Sequence, residues 1–327
     1  MPLTNDSYPI SLASLQLNTS LDFDLYIKST EGDGFVLYRH RDLPFTEEVR
    51  TRLLAAGVLS LYVSLDDRPR YLAYVERHLK ALIADESVPV SQKARLTYDV
   101  ATLVVEDILR TTLTPQGVRR SQAVAAGTGA VVALGKDAVH ELVRLMPLDY
   151  KLHTHATNVS VLATALLIEL GISDRSLVHA IAFAGLLHDI GETAPPLRKH
   201  PDDAESPNPG DHAVLGAQML EQHGITDPAI LRAVREHHER FDGRGLPDSI
   251  EGEEISLLAR IISVADWFDN LTTSYDRKPR NTSLQAAKII IEQMQGFFDP
   301  VVVRRLILML GPVAEKREEK RDPVKHA

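Results

Sequence analysis

Five histidines and two aspartates fall where a buried helix face would normally carry only carbon. His155 shares a helical stripe with Leu152, Val159 and Leu162, and His188 continues Ile181 and Gly185 with Asp189 beside it. His212 precedes Leu215, Gly216 and Met219 at steps of three and four. His237 follows Ile230 and Val234 with His238 adjacent, and Asp266 continues Leu258 and Ile262. One histidine on an apolar face is ordinarily a hydrogen-bonded core residue. An ionised carboxylate buried without a partner costs several kcal/mol, and a metal centre compensates all seven groups together. The chain has no cysteine, so thiolate sites, disulfides and cysteine nucleophiles are excluded and the ligand set is imidazole plus carboxylate. That set suits Fe, Mn, Zn or Ni. Seven side chains exceed the needs of one tetrahedral ion. The adjacent pairs His188–Asp189 and His237–His238 suit two ions with Asp189 as the bridge. Ions about 3.5–4 Å apart are the usual device for hydrolysing phosphate esters: one acidifies a water, and both stabilise charge on the phosphoryl oxygens.

The elements that must position these groups follow from hydrophobic period. Helices are expected at about 119–145, 150–170, 175–189, 211–223, 228–238, 254–272, 282–295 and 300–310, with a long Pro/Gly/Asp-rich loop from Glu192 to Gly210. Before them the pattern is α+β. Leu21, Phe23, Leu25 and Ile27 alternate as one strand, Phe35 to Arg39 forms a second after the Gly-rich turn 31–34, and Leu59 to Leu65 a third. Thr46 reads as an N-cap, and helices are expected over 69–84 and 91–112. The fold class is therefore mainly α: an all-helical bundle over 116–327 with a smaller N-terminal α+β domain over 1–115, regulatory or partner-binding. Gly127-Thr128-Gly129 lies inside a helical pattern without a preceding strand, which argues against a phosphate cradle.

The 327 residues are 44% hydrophobic and 25% charged, ordinary for a globular chain. Thirty-six Lys and Arg against 45 Asp and Glu give a net charge of −9. That excludes a generic duplex nucleic-acid binder, whose affinity rests on neutralising phosphates. No apolar run approaches the roughly 18 residues of a membrane span. The first basic residue is Lys28, so a cationic signal region is not expected, and the chain is expected to be soluble and cytoplasmic.

Over about residues 120–310 the sequence resembles the HD-GYP subfamily of the HD superfamily of metal-dependent phosphohydrolases. His188-Asp189-Ile190-Gly191 looks like the HDIG motif. The run His237-His238-Glu239-Arg240-Phe241-Asp242-Gly243-Arg244-Gly245-Leu246-Pro247 is similar to HHExxDGxGYP, and Ala259 to Asp266 resembles the helix of the final ligand. The resemblance implies a helical domain with a di- or trimetal centre of iron or manganese. It also implies phosphodiesterase activity on cyclic di-GMP, giving linear pGpG or GMP. Carried over, His155, His188, Asp189, His212, His237, His238 and Asp266 are metal ligands, and Asp189 also lies near the attacking water as the catalytic carboxylate. Three positions depart from the pattern. Leu246 replaces the tyrosine of GYP, Glu192 replaces the lysine after HDIG, and Lys151 stands where trimetal members carry a glutamate, so two ions are expected. Lys151, Arg277, Lys278 and Arg280 are the expected substrate-binding cations, with Lys199 a weaker match. Two alternatives stay open: a cyclic-dinucleotide sensor or partner-binding signalling module with little turnover, and an HD phosphohydrolase acting on another nucleotide.

Overall fold

The computed structural model describes residues 7–29, 34–58, 60–146, 152–194, 209–273 and 281–319. The chain forms two compact units, Met1–Leu103 and Val104–Ala327. The division falls inside one long helix, Val90–Arg110 (α3).

In the first unit, strands β1 (Ser7–Ser11), β2 (Leu25–Lys28), β3 (Phe35–Arg39) and β4 (Ser60–Ser64) make a sheet in the order β1-β4-β2-β3. Every pairing is antiparallel, with Tyr8 opposite Val63 and Tyr26 opposite Tyr62. Helix α1 (Glu47–Ala55) is capped by Thr46, whose side chain accepts from the Val49 amide. Helix α2 (Arg68–Ala84) lays Tyr71 and Tyr74 beside Phe23, both in edge-to-face contact at 5.6 Å. The tyrosine hydroxyls stay satisfied in the core: Tyr71 donates to Ser14 Oγ at 2.9 Å, and Tyr74 accepts from the Gln16 amide at 2.7 Å. Strand β1 was not expected from the sequence. Leu21 and Phe23, expected in a strand, are buried but lie ahead of β2.

The second unit is helical: α4 (Pro115–Val132), α5 (Lys136–Leu145), α6 (Leu152–Glu169), α7 (Arg175–Leu187), α8 (Pro209–Gln222), α9 (Pro228–Glu236), α10 (Leu257–Thr272), α11 (Ser283–Glu292) and α12 (Pro300–Glu319). The single helix expected over 119–145 is two, because Gly135 takes a φ of +111° that turns the chain between α4 and α5. No helix among the described residues is long and apolar enough to cross a membrane.

Helices α6 and α7 form the centre. Every residue from Thr154 to Leu167 is buried, and so is every residue from Ala180 to Leu187, so both helices are enclosed on all sides. Two glycines set the closeness of the packing. A Cβ on Gly185 would lie 2.9 Å from Ser160 Cα, so α6 and α7 touch backbone to backbone there. A Cβ on Gly191 would lie 2.0 Å from the His212 carbonyl oxygen, so the 3-10 turn Ile190–Thr193 sits directly on α8. Gly129, part of the Gly-Thr-Gly triplet, serves packing too: a Cβ would meet Val178 at 2.7 Å, where α4 crosses α7.

Candidate metal centre

Each of the seven side chains is delivered by a helix or a helix end. His155 lies one turn into α6, His188 is the C-cap of α7, Asp189 is the N-cap of the 3-10 turn Ile190–Thr193 that follows, and His212 lies in the first turn of α8. His237 is the C-cap of α9, with His238 following, and Asp266 lies in α10. Glu236, the last residue of α9, ties that helix to the next by accepting the Ser256 amide at 2.7 Å, where Ser256 caps α10.

The seven groups meet as two clusters joined by Asp189. Asp189 Oδ1 faces His212 Nε2 at 3.1 Å and His237 Nε2 at 3.5 Å. Its other oxygen, Oδ2, faces His188 Nε2 at 3.1 Å and His155 Nε2 at 3.7 Å. Within the first cluster His212 Nε2 lies 3.0 Å from His238 Nε2 and 3.3 Å from His237 Nε2. Within the second, His155 Nε2 lies 3.2 Å from Asp266 Oδ1. In each of the sets Asp189/His212/His237/His238 and His155/His188/Asp266, one donor atom per residue falls within 4.8 Å of all the others.

These donors fit cations better than they fit one another. His237 hydrogen-bonds the Val234 carbonyl through Nδ1 at 2.7 Å, and His188 hydrogen-bonds the Gly185 carbonyl in the same way at 2.9 Å. A neutral ring that donates from Nδ1 presents a lone pair at Nε2. Three imidazole Nε2 atoms therefore converge on one point in the first cluster. The buried His188 Nε2 faces Asp189 Oδ2 at 3.1 Å without hydrogen-bond geometry, and a buried nitrogen left unsatisfied among the described residues calls for a partner. The electrostatics agree. Burial would raise the Asp189 carboxyl, but the facing imidazoles of His188, His212 and His237 outweigh it and hold it well below the usual range. Burial and the neighbouring His237 push His238 down to about 3.

A second layer was not foreseen from the sequence. Asp269 receives His155 Nδ1 on Oδ2 and Asn158 Nδ2 on Oδ1, each at 2.8 Å. Asn270 donates to Asp266 Oδ1 at 2.6 Å. The available signal was spacing: Asn158 follows His155 by three, and Asp269 and Asn270 follow Asp266 by three and four. Glu239, inside the long motif, is buried and accepts the Asp248 amide at 2.6 Å, closing the loop from 240 to 248. Gly245 is required in that loop, since a Cβ would lie 2.1 Å from the Arg240 amide nitrogen. Arg240 itself is locked, bonded to Asp242 through both Nε and Nη2 and stacked 3.3 Å over the Phe297 ring.

Of the three departures, Leu246 packs beside Gly210 at the start of α8, where a Cβ on that glycine would meet its Cβ at 3.1 Å. Glu192 is solvent-exposed in the 3-10 turn directly after Asp189 and Gly191. Lys151, Lys199, Arg277, Lys278 and Arg280 lie outside the described residues.

A family model described as HD domain matches residues 77–302. The cyclic di-GMP phosphodiesterase PA4108 of Pseudomonas aeruginosa is 35% identical over 182 residues, 54% of this chain and 43% of that protein. The cyclic di-GMP phosphodiesterase response regulator RpfG of Xanthomonas campestris pv. campestris is 35% identical over 152 residues, 42% of this chain and 38% of that protein. The chain thus spans less than half the length of these two relatives. Among solved structures, Bd1817, an HDG"Y"P protein from Bdellovibrio bacteriovorus, superposes with a TM-score of 0.63 over 94% of this chain and all of that one, at 22% identity, which establishes a shared fold. With the HDIG run, the long His-His-Glu motif and the helical bundle that gathers them, the chain belongs to the HD domain family, in its HD-GYP branch.

Proposed function

We propose that this chain is a metal-dependent phosphodiesterase that opens cyclic di-GMP, with His155, His188, Asp189, His212, His237, His238 and Asp266 holding two divalent ions, iron or manganese. The observation that carries the reading is the division of Asp189, one carboxylate oxygen to each imidazole cluster. Divalent ions there supply Lewis acidity to the phosphoryl oxygens and a nucleophilic water at neutral pH. The protein's own part is to orient. Asp189, held ionised by its imidazoles, would align the attacking water, while backbone carbonyls hold His188 and His237 in the tautomer that faces inward. One water adds to phosphorus, one ring ester bond breaks and linear pGpG results; a second water, cleaving the remaining phosphodiester, gives two GMP. Lys151, Arg277, Lys278 and Arg280 are the cations proposed to meet the phosphates.

Chromatography of cyclic di-GMP incubated with Mn²⁺- or Fe²⁺-loaded protein tests this. Linear product is expected from the native chain and at most a trace from His188→Ala or chelated protein. Exposed Glu192 favours a second reading, because a carboxylate there repels a phosphate. If cyclic di-GMP binds at micromolar concentration or tighter with no turnover in either metal, the chain is a sensor or partner-binding module. Turnover of another nucleotide alone would mark a different phosphohydrolase.

A further inference from the structure

The imidazoles of the two clusters are not held alike. His188 and His237 each hydrogen-bond a main-chain carbonyl three residues back, Gly185 O and Val234 O, so no side-chain substitution can release them. His155 is held by a side chain, Asp269, in the neighbouring helix α10. Asp269 is 2% exposed and Asn158 is fully buried. The carboxylate spends one oxygen on His155 and the other on the Asn158 amide, both at 2.8 Å.

We infer that Asp269 and Asn158 together form the positioning pair that fixes His155 with Nδ1 as donor and Nε2 as ligand, and so set the ion affinity of the His155/His188/Asp266 cluster alone. The inference rests on the two-ion reading above. An ionised carboxylate only accepts, so it can satisfy only the N–H tautomer at Nδ1, which leaves the Nε2 lone pair aimed between Asp266 and Asp189. Asn158 uses the second oxygen and stops the carboxylate from rotating away from the ring. A carboxylate behind a ligating histidine also raises the basicity of the ligand, and losing such a partner typically weakens metal binding by about 10–100-fold. The first cluster draws nothing from this pair, because His212, His237 and His238 make their described contacts elsewhere.

The substitution Asp269→Asn keeps the shape of the pair but removes the charge behind His155, leaving a neutral and weaker acceptor for its ring N–H. The substitution Asn158→Ala keeps the carboxylate behind His155 and removes only the group that holds its second oxygen. The test is calorimetric titration of chelator-stripped full-length chain with Mn²⁺, alongside thermal unfolding of the metal-free proteins. The native chain should bind two ions. Asp269→Asn should weaken one of them by about 10–100-fold and leave the other within about twofold. Asn158→Ala should weaken the same ion by less and again leave the other within about twofold, a selectivity that a merely structural role would not produce. Two undiminished ions in Asp269→Asn, or equal weakening of both ions in a variant whose metal-free form unfolds at the native temperature, overturns the inference. A native chain that takes up no ion overturns both this pairing and the two-ion reading, whereas two undiminished ions in native and Asp269→Asn chains alike overturn the pairing alone.

Discussion

Replacing Gly191 by alanine tests the idea that backbone contact, and not ligand identity alone, builds the first cluster. The added Cβ would stand 2.0 Å from the His212 carbonyl oxygen and 2.7 Å from the Gly216 amide nitrogen. Real Cβ contacts essentially never fall below 3.0 Å, so the turn and α8 must part by about 1 Å. Asp189 and His212, on either side of that contact, now lie 3.1 Å apart. Metal–ligand distances tolerate only about ±0.2 Å, so a 1 Å separation removes the fit of Asp189 and His212 to one ion. Overpacking costs about 1–3 kcal/mol. At about 2–4 °C per kcal/mol for a domain of this size, the metal-free midpoint should fall by roughly 2–12 °C. The native protein gains about 2.7 kcal/mol at 100-fold excess of ligand over its dissociation constant, an upward shift of roughly 5–11 °C with Mn²⁺. In Gly191→Ala that rise should shrink to what the second cluster alone supplies. Gly34→Ala is the control, because a Cβ there meets nothing within 4 Å. Native midpoint and an undiminished metal-induced rise in Gly191→Ala would refute the reasoning.

Four other outcomes follow from the same geometry. Asp189→Ala should abolish both ions, while His238→Ala should lose one and keep the other, as read by metal analysis after gel filtration. In the metal-free chain His155 is raised well above its ordinary value of 6.5: burial opposes the charge, but the facing carboxylates of Asp266 and Asp269 outweigh it. Its stabilising contribution is then complete below about 6.5 and is lost as pH rises through the higher folded value, so denaturation of the metal-free protein should show this component weakening upward from neutral pH. Mn²⁺ must displace the same proton, so titrations at pH 7 in buffers of different ionisation enthalpy should report protons released on binding. Glu192→Lys should lower the Michaelis constant for cyclic di-GMP by a few-fold at low salt, with the gain fading as ionic strength rises; an unchanged or higher constant contradicts a repulsive role for that exposed carboxylate.

The residues of the two clusters were legible because polarity on a buried stripe is conspicuous: His155 between Leu152 and Val159, or Asp266 after Ile262, breaks a pattern that hydrophobic burial otherwise enforces. The same signal placed α6, α7 and α10 to within a few residues. The supporting layer was hidden for the opposite reason. Asn158, Asp269 and Asn270 belong to types that usually face water, and only their partners across α6 and α10 give them a role. The break between α4 and α5 was missed because a glycine within an apolar helical pattern costs only about 1 kcal/mol and does not by itself end a helix. Strand β1 carries Ser, Tyr, Pro and Ile in a short edge segment, where pairing with β4 rather than intrinsic propensity decides the conformation. The hold of Asp242 and the Phe297 ring on the motif arginine Arg240 was likewise hidden, because Phe297 is distant in sequence.

The most direct test is anomalous diffraction from crystals of the chain reloaded with Mn²⁺. Two peaks about 3.5–4 Å apart, one beside each oxygen of Asp189, are the predicted result. A single peak, none after reloading, or a third ion beside His155 would contradict the account.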